Sequence, residues 1–275
     1  MSTPPLAHAP LGHDVVYPGA YDASLLFPVP RHVNRQTLTP LPSPWFGSDI
    51  WTAYELSWLN SKGKPQVALG RFEFAHTSPH LIESKSLKLY LNSLNEESFA
   101  SVDAYQATVQ RDLSQAAGDT VNVQITPLSQ AETLPVAPLS GHCIDALDIA
   151  IDRYEPAPDL LACVPGAAPV TETLVSNLLK SNCPVTGQPD WGSVQIRYTG
   201  PAIDRAALLR YIVSLRRHTE FHEHCVEKMF CDIRRACGPQ ELFVYARYTR
   251  RGGLDINPWR SSTLATPAET RTPRQ

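Results

Sequence analysis

The sequence predicts an α+β protein in which antiparallel sheet carries helices on one face. Three observations predict it. Several runs alternate apolar and polar residues with the two-residue period of a half-buried strand. Other segments carry apolar stripes at helical spacing and are bounded by start and stop residues. The order of strands, two helices and strands occurs twice along the chain.

Residues 1–45 are proline-rich, with Pro28, Pro30, Pro40, Pro42 and Pro44 near the end, and read as an irregular arm rather than regular helix or central strand. Ile50 to Leu59 and Gln66 to Phe74 are strand-like and flank Lys62-Gly63-Lys64-Pro65, a hairpin signal. Residues 81–95 place Leu87, Leu91 and Leu94 at helical spacing. A second helix runs from Ser101, a capping residue, to Ala117 before Gly118, with Val102, Tyr105, Val109 and Leu113 as its stripe. A strand follows from Thr120 to Thr126. Residues 127–170 are again rich in proline and read as a connector.

The second half opens on Leu178 to Tyr198. An apolar segment ends there, a loop holds Cys183, Pro184, Gly187, Pro189, Asp190 and Gly192, and a strand follows with Val194, Ile196 and Tyr198 on one face. Helices are expected from Arg205 to about Arg217 and from about Phe221 to Cys237, the latter stopped by Gly238-Pro239. The last expected strand is Leu242 to Tyr248, and the polar tail after Ser261 reads as disordered. The expected organisation is therefore an arm (1–45), a first module (46–126), a connector (127–170), a second module (171–261) and a tail (262–275). A sheet covered on one face needs a second surface, so an oligomer is expected.

An apolar fraction of 43% supports a sizeable core, and a formal charge of −3 gives no overall basic footprint for nucleic acid. The first residues lack the pattern of a secretory signal, and no stretch approaches the ~20 apolar residues of a membrane helix. A cytoplasmic protein with reduced thiols is expected, so each of the six cysteines is either core filler or chemistry.

No glycine pair has the GxG spacing and no cysteine pair the CxxC spacing, which removes dinucleotide-fingerprint, P-loop and common zinc readings. Cys183 and Asp190, seven positions apart, read either as a nucleophile with a proton donor or as a small buried Cys and a capping Asp. In residues 218–225, HTEFHEHC, His218 and His222 stand i, i+4 with Cys225 three beyond, a weak metal pattern that equally suits a polar helix start.

Four separated motifs are more specific: ESKSLKLYLNS (83–93), SNCPVTGQPDWGS (181–193), EFHEHCVE (220–227) and YARYTRRGGLDINPWR (245–260). In this order they resemble the 7-cyano-7-deazaguanine reductases, the nitrile reductases of tRNA queuosine synthesis, in their long form. The resemblance covers roughly residues 48–261. It implies two tunnelling-fold (T-fold) modules, a homodimer, a small-molecule substrate, NADPH as hydride donor, and no metal, membrane or direct nucleic-acid partner. It implies Cys183 as the nucleophile that forms a thioimide and Asp190 as the proton donor, with Trp191 and Pro189 as an apolar setting that raises its pKa. It implies substrate contacts by Ile82, Glu83, Ser84, His222 and Glu223, the two glutamates accepting the paired N–H groups of a guanine-like edge. It implies cofactor contacts by Ser84, Lys85, Arg251 and Gly252. The competing expectation is a metal-dependent hydrolase of the same fold acting on a purine or pterin through His218, His222 and Cys225.

Overall fold

The computed structural model describes residues 19–131 and 135–275. The first 18 residues of the expected arm, and three of the connector, lie outside them. By contact the chain forms two compact units, each assembled from separate stretches. One holds residues 19–36, 49–131 and 250–255; the other holds 37–48, 135–249 and 256–275.

In the first unit, prolines confine strand to the margin. Strand β1 (Pro28–Pro30) pairs only with the short β4 (His80–Ile82), antiparallel, and leads into a five-residue helix α1 (Arg31–Arg35). Arg31 is buried and bonds Asp49 at 2.6 Å, so the arm is pinned by a charge-assisted hydrogen bond. The expected hairpin forms from β2 (Phe46–Leu59, its first three residues in the other unit) and β3 (Pro65–Ala75). Its turn closes through Asn60 N–H to Lys64 O, with Gly63 at a φ of 73°. Helix α2 (Ser84–Ser93) starts three residues later than its apolar spacing suggests, because β4 and the cap Glu83 occupy the intervening positions. Helix α3 (Val102–Ala117) has the expected ends: the Ser101 hydroxyl accepts from Ala104 N–H, and Gly118 is left-handed. Strand β5 (Val121–Pro127) pairs antiparallel with β3, giving the order β5-β3-β2. Trp58 stacks on Tyr105 at 4.4 Å between ring centres, which joins β2 to α3.

In the second unit, β6 (His142–Cys143) runs parallel to β7 (Val170–Asn182). An antiparallel hairpin joins β7 to β8 (Pro189–Gly200), and β9 (Glu241–Tyr248) and β10 (Leu254–Ser261, its first two residues in the other unit) complete the order β10-β9-β8-β7-β6. Helices α4 (Arg205–Ser214) and α5 (His222–Cys237) supply Leu208, Tyr211, Ile212, Val226, Met229, Phe230 and Ile233 to the core. Val194, Ile196 and Tyr198 meet them from β8, the face that alternation assigned. Each such side chain contributes roughly 1.5–3 kcal/mol through burial. The connector is not a bare link, since Ile144 and Leu161 join this core and Ile144 N–H donates to Val175 O. The tail is ordered too: Gln275 is buried, and its amide donates to Tyr248 O and Asn257 Oδ1. Both units are therefore α+β with mostly antiparallel sheet. Among the described residues no helix is long and apolar enough to cross a membrane.

Candidate active site

The second unit places Cys183 at the tip of the β7–β8 hairpin. Its N–H donates to Gln188 O at 2.9 Å and its carbonyl accepts from Gly187 N–H at 3.0 Å, so residues 183–188 form a closed turn. Gly187, at a φ of 68°, makes that turn possible. Cys183 itself is buried. Asp190 is not in the loop but already in β8, directly opposite Ser181. Opposite residues of an antiparallel pair share a face, so Ser181 and Asp190 both point to the helix-covered side, and both are buried.

This geometry corrects one expectation. Trp191 is the next strand residue and points to the other face, 37% exposed, beneath the Arg216 guanidinium at 5.3 Å. Pro189 is exposed as well. Neither gives Asp190 an apolar setting. That setting comes from Tyr248 and the start of α5. The His222 Nε2 lies 3.7 Å from Asp190 Oδ1, and the imidazole meets the Tyr248 ring edge to face at 4.1 Å. Gly192 makes room, since a Cβ there would approach Tyr248 Cδ1 to 3.2 Å.

Asn182 ties the hairpin to the start of α5: its N–H donates to His218 O, and its carbonyl accepts from Glu220 N–H. Helix α5 begins at His222 with no side-chain cap, and Glu223 lies buried in its first turn, where its charge suits the helix dipole. His218 is therefore not on the helix, and the proposed i, i+4 metal pair is not a pair on one helix face. Cys225 points into the core, where burial pushes its thiol up to about 11. Burial lowers His218 to about 4, with help from His224 and Lys228. Among the described residues no three His, Cys, Asp or Glu side chains are placed to hold one metal ion. Burial also pushes Cys231 and Cys237 up to about 12, so these thiols stay protonated near neutrality.

Sequence reasoning missed Tyr248 and Ser181. Tyr248 is fully buried, and neither its hydroxyl nor that of Ser181 has a hydrogen-bond partner among the described residues. Strand register would have revealed Ser181, because it is the residue opposite Asp190.

The first unit holds the other named residues. Ile82 ends β4 and is buried; Ser84 and Lys85, half-buried, begin α2. Glu83 is the N-cap of α2, fully buried, with one carboxylate oxygen accepting from Lys85 N–H and the other from Ser86 N–H, both at 2.8 Å. Burial raises its pKa, offset by those two N–H groups and then by Lys88 and Arg251. Arg251 to Leu254 is a tight turn through Gly252 and Gly253, whose φ values are 59° and 76°. Lys88 packs over Gly252, where a Cβ would come within 3.0 Å of its Nζ. Sequence reasoning missed Lys88, although it stands one helical turn beyond Lys85. Lys88 and Arg251 thus bring positive charge to the Glu83 carboxylate, which itself takes the Lys85 and Ser86 N–H groups at the start of α2.

Two family models match. Residues 17–125 match the N-terminal part of nitrile reductase, 7-cyano-7-deazaguanine reductase, and residues 189–266 match QueF-like protein. These matches define an α+β enzyme of the reductase class. Curated relatives narrow it. NADPH-dependent 7-cyano-7-deazaguanine reductase of Bordetella avium is 56% identical, over 98% of this chain and 100% of its own. The protein of that name from Bordetella pertussis is 57% identical over 98% and 99%, and that from Chromobacterium violaceum 56% over 98% and 97%. The chain belongs to the family of NADPH-dependent 7-cyano-7-deazaguanine reductases. A solved structure, the apo form of the archaeosine synthase QueF-Like, aligns at a TM-score of 0.31 and 16% identity over 37% of this chain and 99% of its own, too distant a likeness to argue from.

Proposed function

We propose that this protein reduces the nitrile of 7-cyano-7-deazaguanine to the primary amine with two NADPH, through a covalent adduct on Cys183. The reaction serves tRNA queuosine synthesis in the cytoplasm. The observation that carries the reading is the placement of Cys183 and Asp190 at one hairpin, with His222 beside the carboxylate. A nitrile carbon is a weak hydride acceptor until a nucleophile adds to it. The Cys183 sulfur adds to that carbon and gives a thioimide. The nitrile nitrogen gains negative charge during addition, and Asp190 delivers a proton to it. NADPH supplies the hydrides that take the carbon to the amine level. Cys183 leaves as thiolate when the first reduced adduct collapses, and His222 orients Asp190 or returns its proton.

Glu83 and Glu223 are the proposed readers of the purine N–H edge. The Glu83 carboxylate is fixed by two backbone N–H groups, yet each oxygen keeps a second lone pair for a ligand. Ile82, Ser84 and His222 are the proposed further substrate contacts. Ser84, Lys85, Arg251 and Gly252, with Lys88, are proposed to hold the cofactor phosphates.

Two modules, 46–126 and 171–261, are proposed as T-folds, with the arm, connector and tail outside them. A helix pair beside antiparallel strands in each unit supports this. The working form is proposed as a homodimer, which sedimentation equilibrium would detect as twice the chain mass. The deciding experiment for the chemistry is intact mass after mixing with 7-cyano-7-deazaguanine without NADPH. Wild type gains one ligand covalently and Cys183→Ala gains none. Labelling at Cys225, Cys231 or Cys237 instead would overturn the assignment.

A further inference from the structure

Cys163 and Cys237 take no part in the proposed chemistry, yet the second unit brings them together from 74 positions apart. Cys163 is held on both sides: Val164 N–H donates to Ala202 O at 2.8 Å, and Asp204 N–H donates to Ala162 O at 2.9 Å. Cys237 is the last residue of α5 and is fixed by the left-handed Gly238 that follows. The Cys163 thiol reaches Cys237 O at 3.8 Å. Burial raises the Cys237 pKa, and the nearby Cys163 adds to that effect. Cys163 is half-exposed, whereas Cys237 is buried.

We propose that Cys163 and Cys237 are a dithiol oxidation site, converted by peroxides to a reversible disulfide across the second unit. Cys163, the accessible member, loses its proton and its sulfur attacks one peroxide oxygen. The O–O bond breaks, hydroxide leaves and takes up that proton as water, and Cys163 becomes a sulfenic acid. The Cys237 sulfur then attacks the sulfenic sulfur. The S–O bond breaks, and a second water leaves carrying the Cys237 proton. Two thiols lose two electrons, and one hydrogen peroxide becomes two waters. The closed loop encloses the Cys183–Asp190 hairpin and all of α5, so the cross-link restrains the stretch that carries the proposed chemistry without using any of its groups.

The test is peroxide titration of the wild-type protein, alkylation of the remaining thiols under denaturing conditions, and peptide mapping without reductant. The expected product is a linked peptide pair containing Cys163 and Cys237 that dithiothreitol separates. Oxidation should also raise Tm by roughly 5 °C, as closing a long loop restricts the unfolded chain. Cys163→Ser should show neither the linked pair nor the rise. Full alkylation of Cys163 and Cys237 after peroxide has oxidised other residues would overturn the proposal, as would pairing of Cys163 with Cys143. If Cys163→Ser does not fold, the wild-type peptide map decides alone.

Discussion

Asp190 owes its position to a strand rather than to a loop. A residue on a loop can turn its side chain several ways. A residue opposite Ser181 in an antiparallel ladder has one face available, and here that face holds His222 and Tyr248. Asp190→Asn keeps this shape but removes the deliverable proton. Turnover should fall by about 10²–10⁴-fold, the usual worth of a positioned acid, while substrate still binds. Steady-state rates beside a binding titration test this. A near-normal rate would move the acid role to His222, whose Nε2 is 3.7 Å away. Cys183, the proposed nucleophile, was legible as a residue type in a turn-rich loop. The face of Asp190 was not, because the loop composition hid where β8 begins.

At the scale of the element, local signals were the most readable. Ser101, Gly118 and Gly238 marked helix ends because capping depends on one or two residues and their own backbone. Of the strands that were missed, the two long ones have identifiable reasons. In β7 the register shifts between Ser176 and Leu179, so alternation breaks mid-strand. In β10 every residue is buried, which removes the polar half of the pattern, and Pro258 is a residue that strands seldom hold. Glu83 shows why an element's cap and a ligand contact are separable only by experiment. Its carboxylate caps α2 with both oxygens. In Glu83→Gln the amide offers one acceptor and turns a donor toward a backbone N–H. We expect a loss of about 1–2 kcal/mol in stability, seen as a lower denaturant midpoint. If Glu83 also reads the substrate, affinity for 7-cyano-7-deazaguanine should drop roughly ten- to a hundredfold, and much less for an analogue lacking the exocyclic amine. Calorimetry with both ligands separates the roles, since a cap-only glutamate would lower the two affinities equally. Glu223→Gln, at an α5 start with no side-chain cap, gives the comparison in which the purine-edge effect is expected.

At the scale of the molecule, the chain forms two compact units, and neither is a contiguous segment. Residues 250–255 return to the first unit and residues 37–48 belong to the second. Order of elements is a local property, whereas membership of a core depends on distant pairing that no local pattern encodes. Global stability should also carry the mark of one half-buried imidazole. His218 sits at about 4 in the folded protein against 6.5 when free, because burial penalises its charged form. The unfolded chain therefore binds the proton more readily. Above pH 6.5 both states are neutral at this site and stability is unaffected. As pH falls from 6.5 toward 4 the unfolded state gains the proton first, so stability declines, by on the order of 3 kcal/mol in full. Below about pH 4 the folded state is protonated too, and this contribution to the slope ends. The half-buried Glu220, raised by burial, works in the opposite sense at low pH: its neutral form favours the folded state there, and that support fades as pH rises through its folded pKa. Denaturant midpoints for the second unit, followed by Trp fluorescence at intervals from pH 7.5 to 4, should therefore decline below pH 6.5. In His218→Gln, which keeps a neutral polar side chain, the decline between pH 6.5 and 5 should flatten. An equal decline in wild type and variant over that interval would remove His218 as its source.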